Sequence, residues 1–416
     1  MRDVIRDVLL EWLDRPLPDL VKREAKFRLS SNILAIFGPR RAGKTYFMYQ
    51  IVKELMEKHG FERQNIVYLD FEDVRLVGLR PENYGDLVNA IHELFRERHG
   101  KIVLMLDEIH NLKNYGKWLR TLHNSGRYYI FIAGSSSRLM AKEIASELRG
   151  RYVSQLILPF SFREYLNARK IKIDNIYYLK EGVVLNALRE YMNLGGYPEV
   201  VLTGDKDLLR TYKETIFYRD IVDRYNVRDV VSLDLFMKIL MDNAGKYLSI
   251  SKIHNYFKSL GIKKSKKTLT KYFNYFDEAM FIIPVEIFSY SMRDRIRNPR
   301  KIYLIDLGFY SLIPRFTKDI GLKMENLVAI ELLRRGEEFF YYKYNDKEID
   351  FITKNGEIIE VTYTLDRDHI SKVSITMSRL GIRITKIITW DEEDEIERYS
   401  GKIQVIPLWK WLLYKY

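Results

Sequence analysis

The chain is 416 residues long, 47% hydrophobic and 30% charged, a balance typical of folded rather than disordered proteins. It has no cysteine, which excludes disulfides, thiolate catalysis and cysteine-ligated zinc, and its seven histidines are scattered. A net charge of +13 points to a polyanionic partner such as nucleic acid, with a generally basic surface as the plain alternative. The length allows two or three domains, each with its own core. No apolar run approaches the roughly 18 residues of a membrane span, and the opening MRDVIRDVLLEWLD is acidic and amphipathic, unlike a secretory signal. A cytoplasmic protein with no membrane partner is expected.

In chain order, the first 30 residues read as one or two helices, with Pro16 and Pro18 breaking between them. From Asn32 to about Pro159, short apolar strands alternate with amphipathic helices. NILAIFG precedes TYFMYQIVKELMEKHG, NIVYLDF precedes YGDLVNAIHELFRERHG, KIVLMLDE precedes YGKWLRTLHNSG, YYIFIAG precedes SRLMAKEIASELRG, and QLILPF ends the series. Strands that are apolar at every central position are buried on both faces, so a parallel sheet covered by helices is predicted. Helix-forming segments then run to about Lys246, interrupted by GGYPEV at Gly195–Val200. Tyr247 to Pro314 reads as helix-turn-helix followed by a hairpin. From Met324 a helix leads into the strands FFYYKY, EIDFIT, EIIEVTY and KIITW.

Gly38 to Thr45, GPRRAGKT, matches G-x-x-x-x-G-K-T and lies between a buried strand and a helix, where a phosphate loop must lie. Its residues Gly38, Pro39, Arg40, Arg41, Ala42 and Gly43 would wrap backbone N–H groups and the positive helix end around a phosphate, with Tyr46 following. Lys44 would reach the β- and γ-phosphates and Thr45 would ligate Mg²⁺, so ATP or GTP with Mg²⁺ is the expected ligand. Val103 to Leu106 end in Asp107 and Glu108. Asp107 can hold Mg²⁺ through water, and Glu108 is placed to orient and deprotonate an attacking water. Ser135 or Ser136, at the tip of YYIFIAGSSS, could meet the γ-phosphate or simply cap the next helix. Arg149 and Arg151 are candidate arginine fingers or an ordinary basic helix end.

GPRRAGKT, IVLMLDEIHNL, AGSSSRL, LRGRY, LILPFSFREYL, GGYPEVV and YRDIVDRY, in this order, resemble the archaeal AAA+ ATPases of the branch with a G-x-P lid motif in place of the usual lid arginine. The resemblance spans essentially the whole chain. It implies an ATPase whose sensor-1 position is the strand tip bearing Ser135, whose finger is Arg151, and whose Gly196-Tyr197-Pro198 turn lies beside adenine. It also implies a homo-oligomer in which a neighbour's arginine completes each site.

YLSISKIHNYFKSLGIKKSKKTLTKYFNYFDEAMFI reads as two helices around a turn at Leu260-Gly261-Ile262, with Lys263, Lys264, Lys266, Lys267 and Lys271 clustered at the start of the second. MRDRIRNPR, with Arg293, Arg295, Arg297 and Arg300, joins two following strands. The pattern resembles a winged helix, and about a dozen basic residues face four acidic ones between Lys252 and Lys301. DNA is the expected partner; a protein-protein module is the alternative.

The carboxy-terminal block resembles the PD-(D/E)XK nuclease fold, with Asp350 and Glu360 as implied metal ligands. The lysine that pattern requires two residues after the glutamate is replaced by Thr362. Lys343 or Lys347 could stand in for it. A three-residue turn Lys354-Asn355-Gly356 with Gly356 left-handed would set Asp350 across from Glu360, whereas a two-residue turn would pair Phe351 with Glu360 instead. The expected organisation is α/β: a P-loop AAA+ parallel sheet in residues 1–165, a helical lid in 166–246, a winged helix in 247–315 and a restriction-endonuclease-like α/β domain in 316–416.

Overall fold

Five apolar runs become five parallel strands, β1 (Ile33–Phe37), β2 (Ile66–Asp70), β3 (Ile102–Asp107), β4 (Tyr128–Ala133) and β5 (Tyr152–Leu156), in the order β2-β3-β4-β1-β5. The computed structural model describes residues 1–134, 146–172, 181–314, 319–398 and 401–414, and the chain divides into two compact units, Met1–Leu158 and Pro159–Tyr416. In the first unit β3 is buried at every position, its five apolar residues as expected inside a helix-covered sheet and its terminal Asp107 with them. The last strand lies earlier than QLILPF suggests. It runs Tyr152–Leu156 on the sheet edge with no position fully buried, so its sequence carries no buried-strand signature.

Helices α1 (Arg2–Asp14), α2 (Lys44–His59), α3 (Tyr84–Leu94) and α4 (Tyr115–Asn124) flank this sheet. In α1 the apolar positions Ile5, Val8, Leu9 and Trp12 recur at helical spacing and are buried. Trp12 Nε1 donates to the Ile66 carbonyl, and its ring stacks on Tyr68 at 4.9 Å. No second helix follows: residues 15–32 hold no helix, as expected where Pro16 and Pro18 remove two N–H donors. The strand order matters for function because β4 lies between β1 and β3. Ala133 sits beside Ile36 and Ile132 beside Leu106, so three strand ends converge.

The second unit opens with α5 (Phe162–Ala168), α6 (Glu181–Leu194), α7 (Pro198–Thr203), α8 (Asp207–Thr215), a π-helical stretch Ile216–Asp223, and α9 (Val230–Asp242). A small antiparallel sheet follows, β6 (Tyr247–Leu248), β8 (Arg300–Leu304) and β7 (Ile282–Val285) in that order, with α10 (Ile250–Ser259) and α11 (Lys266–Glu278) between β6 and β7. The connection from β7 to β8 is not a bare loop but contains α12 (Met292–Arg297).

After α13 (Ile320–Arg334) come β9 (Phe339–Tyr344), β10 (Lys347–Thr353), β11 (Glu357–Val361), α14 (Arg367–Leu380), β12 (Ile384–Thr389), β13 (Asp394–Arg398), β14 (Gly401–Pro407) and α15 (Leu408–Leu413). The six strands form a mixed sheet, β13-β14-β12-β11-β10-β9, two strands larger than the sequence pattern suggested. Phe351 pairs with Ile359 and Ile352 with Ile358. That is the register of the three-residue turn, with Gly356 at φ +80° and Asp350 facing Glu360 across the strands.

Candidate functional site

The loop after β1 curls tightly because its backbone can. Gly38 has φ +151°, and a Cβ there would meet the Ile157 carbonyl oxygen at 1.9 Å. Arg41 and Gly43 are left-handed at φ +61° and +92° before α2 starts at Lys44. The Lys44 side chain is buried in the curl, its Nζ donating to the Gly38 and Pro39 carbonyls at 3.1 Å each. Ala42 is buried, Arg40 half-buried, and Tyr46 exposed with its ring edge on Tyr49.

The acidic partner arrives from β3. Thr45 Oγ1 donates to Asp107 Oδ2 at 2.7 Å, and Tyr68 OH donates to the same oxygen at 2.9 Å. The Glu108 N–H donates to Asp107 Oδ1 at 3.0 Å. Asp107 is thus buried on neutral donors, which satisfy its oxygens without cancelling its charge. A hydroxyl and a carboxylate oxygen in contact, next to a buried ammonium, are the hard oxygen donors that suit Mg²⁺ beside phosphate.

Glu108 is held left-handed at φ +48°, a conformation that costs a non-glycine residue about 1–3 kcal/mol. Burial pushes its carboxyl up to about 7, with Asp107 adding to the shift and Lys44 opposing it. His110 Nδ1 lies 3.3 Å from Glu108 Oε2. A carboxyl titrating near neutrality is matched to taking a proton from water. Ser135 lies outside the described residues. Arg151 is half-buried at the start of β5, after left-handed Arg149 and Gly150, and its carbonyl accepts from the Ile33 N–H at 2.9 Å. Because β1 and β5 are parallel, Arg151 lies at the end of the sheet opposite the phosphate loop, about 16 Å away for a five-residue strand.

In the second unit Pro198 opens α7, and Tyr197 before it is fully buried between Tyr212 and Phe309, at 5.2 and 5.6 Å. The Gly196 N–H donates to Asp306 Oδ2 at 2.7 Å, and a Cβ on Gly196 would sit 2.4 Å from the Phe160 carbonyl oxygen. Burial pushes the Asp306 carboxyl up to about 6, against the N–H groups of Gly196 and Gly308.

The basic residues divide into two groups. Lys263, Lys266, Lys267 and Lys271 are exposed, the last three along α11 with Thr270 and Asn274, while Lys264 forms an ion pair with Asp229. Arg293 and Arg297 are exposed on α12. Arg295 instead donates to Glu286 Oε2 at 3.0 Å and lies over the Phe340 ring at 4.8 Å. Lys264 and Arg295, both expected at a nucleic-acid surface, thus have internal partners.

Asp350 and Glu360 meet two ammonium groups. Lys301 Nζ, from β8, is 2.5 Å from Glu325 Oε1, 2.6 Å from Glu348 Oε1 and 3.2 Å from Asp350 Oδ1, while Lys372, from α14, pairs with Glu360. Asp350 Oδ2 also accepts from the Val361 N–H at 3.0 Å. Burial pushes Glu325 up to about 8, with Asp350 adding and Lys301 opposing. Lys343 and Lys347 are exposed, and the Thr362 hydroxyl donates to the Thr364 carbonyl. Among the described residues no group of three or more His, Asp or Glu side chains is arranged to hold a metal. The donors that the nuclease resemblance offers to a metal therefore do not fit one in this arrangement.

A family model described as an AAA domain matches residues 30–166, and one described as a domain of unknown function (DUF8612) matches residues 185–319. The protein MJ1544 of Methanocaldococcus jannaschii, itself uncharacterised, is 33% identical over 416 residues, covering 95% of this chain and 91% of that protein. The chain belongs to the MJ1544 family. An uncharacterised protein of Haemophilus influenzae is 28% identical over 398 residues, 93% of this chain and 96% of that one. Among solved structures, the Aeropyrum pernix ORC1 protein in complex with DNA aligns with 80% of this chain and 92% of that one, at 15% identity and TM-score 0.31. A mutant RuvB of Thermotoga maritima aligns with 68% and 90%, at 16% identity and TM-score 0.30. Neither score is high enough to carry a functional argument.

Within the AAA domain of this family member, motif reading misses the residues that brace the loop. Tyr68 is one, and its place two positions before Asp70 on an apolar strand gives no hint of a bond to Asp107. Arg23, buried in the extended stretch after α1, donates through Nη1 to the Ala42 carbonyl at 2.7 Å and through Nη2 to Leu158. Its backbone N–H donates to Gln50 Oε1 at 2.7 Å, and Gln50 Nε2 donates back to its carbonyl at 3.3 Å. Just before the AAA match, then, the chain is latched onto the phosphate loop.

Proposed function

We propose that this AAA-domain protein hydrolyses ATP and couples its nucleotide state to holding DNA. The observation that carries the reading is the meeting of Lys44, Thr45, Asp107 and Glu108, with Glu108 poised near neutral pH. Lys44 and the N–H groups of the curled loop bind the phosphates, and the Glu108 carboxylate takes the proton from the attacking water. Thr45 and Asp107 would hold Mg²⁺, which supplies neutralisation of phosphate charge when bound.

The position of Arg151, remote from its own phosphate loop, supports its use on a neighbouring copy, so a homo-oligomer is part of the proposal. Lys263, Lys266, Lys267 and Lys271 with Arg293 and Arg297 form the DNA surface of a winged-helix-like module. Nuclease activity is not part of the proposal, because Lys301 and Lys372 occupy the carboxylates. No helix among the described residues is long and apolar enough to cross a membrane, and the cytoplasm is the proposed location.

Two measurements test the reading. Glu108→Gln should bind a fluorescent ATP analogue as the wild type does yet fail to turn ATP over; normal turnover would remove the assigned base. Duplex DNA titrated at two salt concentrations should bind with a steep salt slope. No binding at low salt, with ATPase intact, would favour a nucleotide-gated switch on a protein partner instead.

A further inference from the structure

The segment joining β7 to β8 presents a combination that phosphate contact alone does not require. Tyr290, Met292 and Ile296 are 95%, 66% and 74% exposed, a cluster of large apolar side chains on a single short segment. On α12, Met292 and Ile296 are four residues apart and share one face, and Arg293 and Arg297, also four apart, share the adjoining face. Both arginines are exposed.

Beneath this tip the structure is fixed. Glu286 accepts from Arg295 and Arg300, at 3.0 and 3.2 Å. The Phe288 N–H donates to the Tyr341 carbonyl at 2.6 Å and the Tyr341 N–H to the Glu286 carbonyl at 3.0 Å, tying the segment to β9. The Phe288 ring packs against Phe340 and Tyr342 and carries Tyr290 edge-on at 5.6 Å. An apolar tip beside two cations, on a braced base, is preorganised to meet a surface that is apolar in its centre and anionic at its rim.

We propose that this tip is a wedge for the junction between double-stranded and single-stranded DNA. Tyr290 and Met292 stack on the terminal base pair, whose face a continuous duplex keeps covered, while Arg293 and Arg297 hold the flanking phosphates. The proposal rests on the DNA-binding reading above and adds the DNA structure that this module selects. A continuous duplex covers its base faces and offers the apolar half of the tip no partner. A plain phosphate-binding surface would have no need of exposed Tyr290, Met292 and Ile296.

The test compares a forked duplex with a duplex of the same sequence whose two ends are closed by stacked tetraloops, by fluorescence anisotropy with the full chain. A 2-aminopurine at the last paired position reports unstacking. The wild type should favour the fork by roughly 5- to 150-fold, the worth of one stacked base, and the 2-aminopurine signal should rise on binding. Tyr290→Ala with Met292→Ala should lose that preference and signal and keep closed-duplex affinity, and Tyr290→Trp, which keeps an aromatic ring on an otherwise native tip, should keep the preference. Arg293→Ala with Arg297→Ala should weaken both substrates. Equal wild-type affinity for fork and duplex overturns the wedge and leaves DNA binding standing. A change in oligomer mass in the Tyr290 variant with DNA preference unaltered also overturns it, in favour of a protein contact. Failure to bind either DNA at low salt removes the DNA reading and the wedge with it.

Discussion

Two pairs of carboxylates, one in each unit, lie on buried strands or directly after them and differ in what satisfies them. Asp107 accepts from the hydroxyls of Thr45 and Tyr68 and from a backbone N–H, all neutral, so its negative charge remains available to a cation. Asp350 and Glu360 face the ammonium groups of Lys301 and Lys372. Neutral donors hold a carboxylate in place for later use, whereas an ammonium in direct contact uses its charge now. The first pair is therefore suited to chemistry and the second to holding β8, α13, β10, β11 and α14 together.

The sharpest way to break this contrast is at Glu108. Glu108→Gln removes the proton acceptor and leaves the loop intact, so steady-state ATP turnover should fall by about 10²- to 10⁴-fold. The wild-type kcat/KM for ATP should rise with pH, be half-maximal near the value of about 7 to which burial raises Glu108 in the free protein, and drop about tenfold per pH unit below it, because only the ionised carboxylate accepts a proton. A flat profile across that range would separate Glu108 from the proton transfer.

The second pair makes the opposite prediction, for stability rather than turnover. Burial disfavours the Lys301 charge, but Asp350, Glu325 and Glu348 outweigh burial and keep it protonated. Lys301→Met would leave three carboxylates facing one another with their cation gone. Urea unfolding should show a loss of roughly 3–5 kcal/mol in the second unit, the cost of breaking a buried ion pair from one side. The wild type with Mg²⁺ or Mn²⁺ should leave DNA uncut. Metal-dependent cutting abolished by Asp350→Ala would mean that the lysines give way to a metal, and the contrast between the two pairs would fail.

A smaller effect is expected at Tyr68. Tyr68→Phe removes one of two hydroxyl donors to Asp107 Oδ2, a loss of about 1 kcal/mol. The Mg²⁺ dependence of turnover, measured by titration, should shift by several-fold with the maximal rate little changed. A shift as large as that of Thr45→Ala would place Tyr68 among the ligands rather than behind them.

How much was legible in the sequence follows from how local each signal is. The phosphate loop and the acidic strand end are contiguous strings, and strands buried on both faces announce themselves by composition, so β1 to β4 and the residues Gly38–Thr45, Asp107 and Glu108 could be read directly. The edge strand β5 buries little, so its sequence carries no signal of where it starts. The turn chemistry at Lys354–Gly356 gave the register of β10 and β11, because a left-handed glycine fixes the loop length. Partners far apart in sequence could not be read. Lys301 and Asp350 are 49 residues apart, and Arg23 and Leu158 are 135 apart. Nothing in the flanking residues of either pair marks it.

The smallest expected effect separates lysines that look equivalent in the string KKSKKTLTK. Lys266 and Lys267 are exposed in the first turn of α11, where a cation opposes the helix dipole unless an anion arrives, and Lys271 is exposed one turn further on. Lys264 is already paired with Asp229, and the pairing raises the proton affinity of the lysine and lowers that of the aspartate. In the DNA reading, each of the first three should contribute about 0.9 to the slope of log affinity against log salt when it meets a phosphate. Lys267→Ala should therefore flatten that slope by about one, and Lys264→Ala should leave it unchanged. Replacing Lys264 costs instead the modest energy of a largely solvent-screened pair, within about 1 kcal/mol of stability. If both variants flatten the slope equally, the Lys264–Asp229 pair opens on DNA, and α11 approaches the phosphates with its preceding turn rather than with its exposed face.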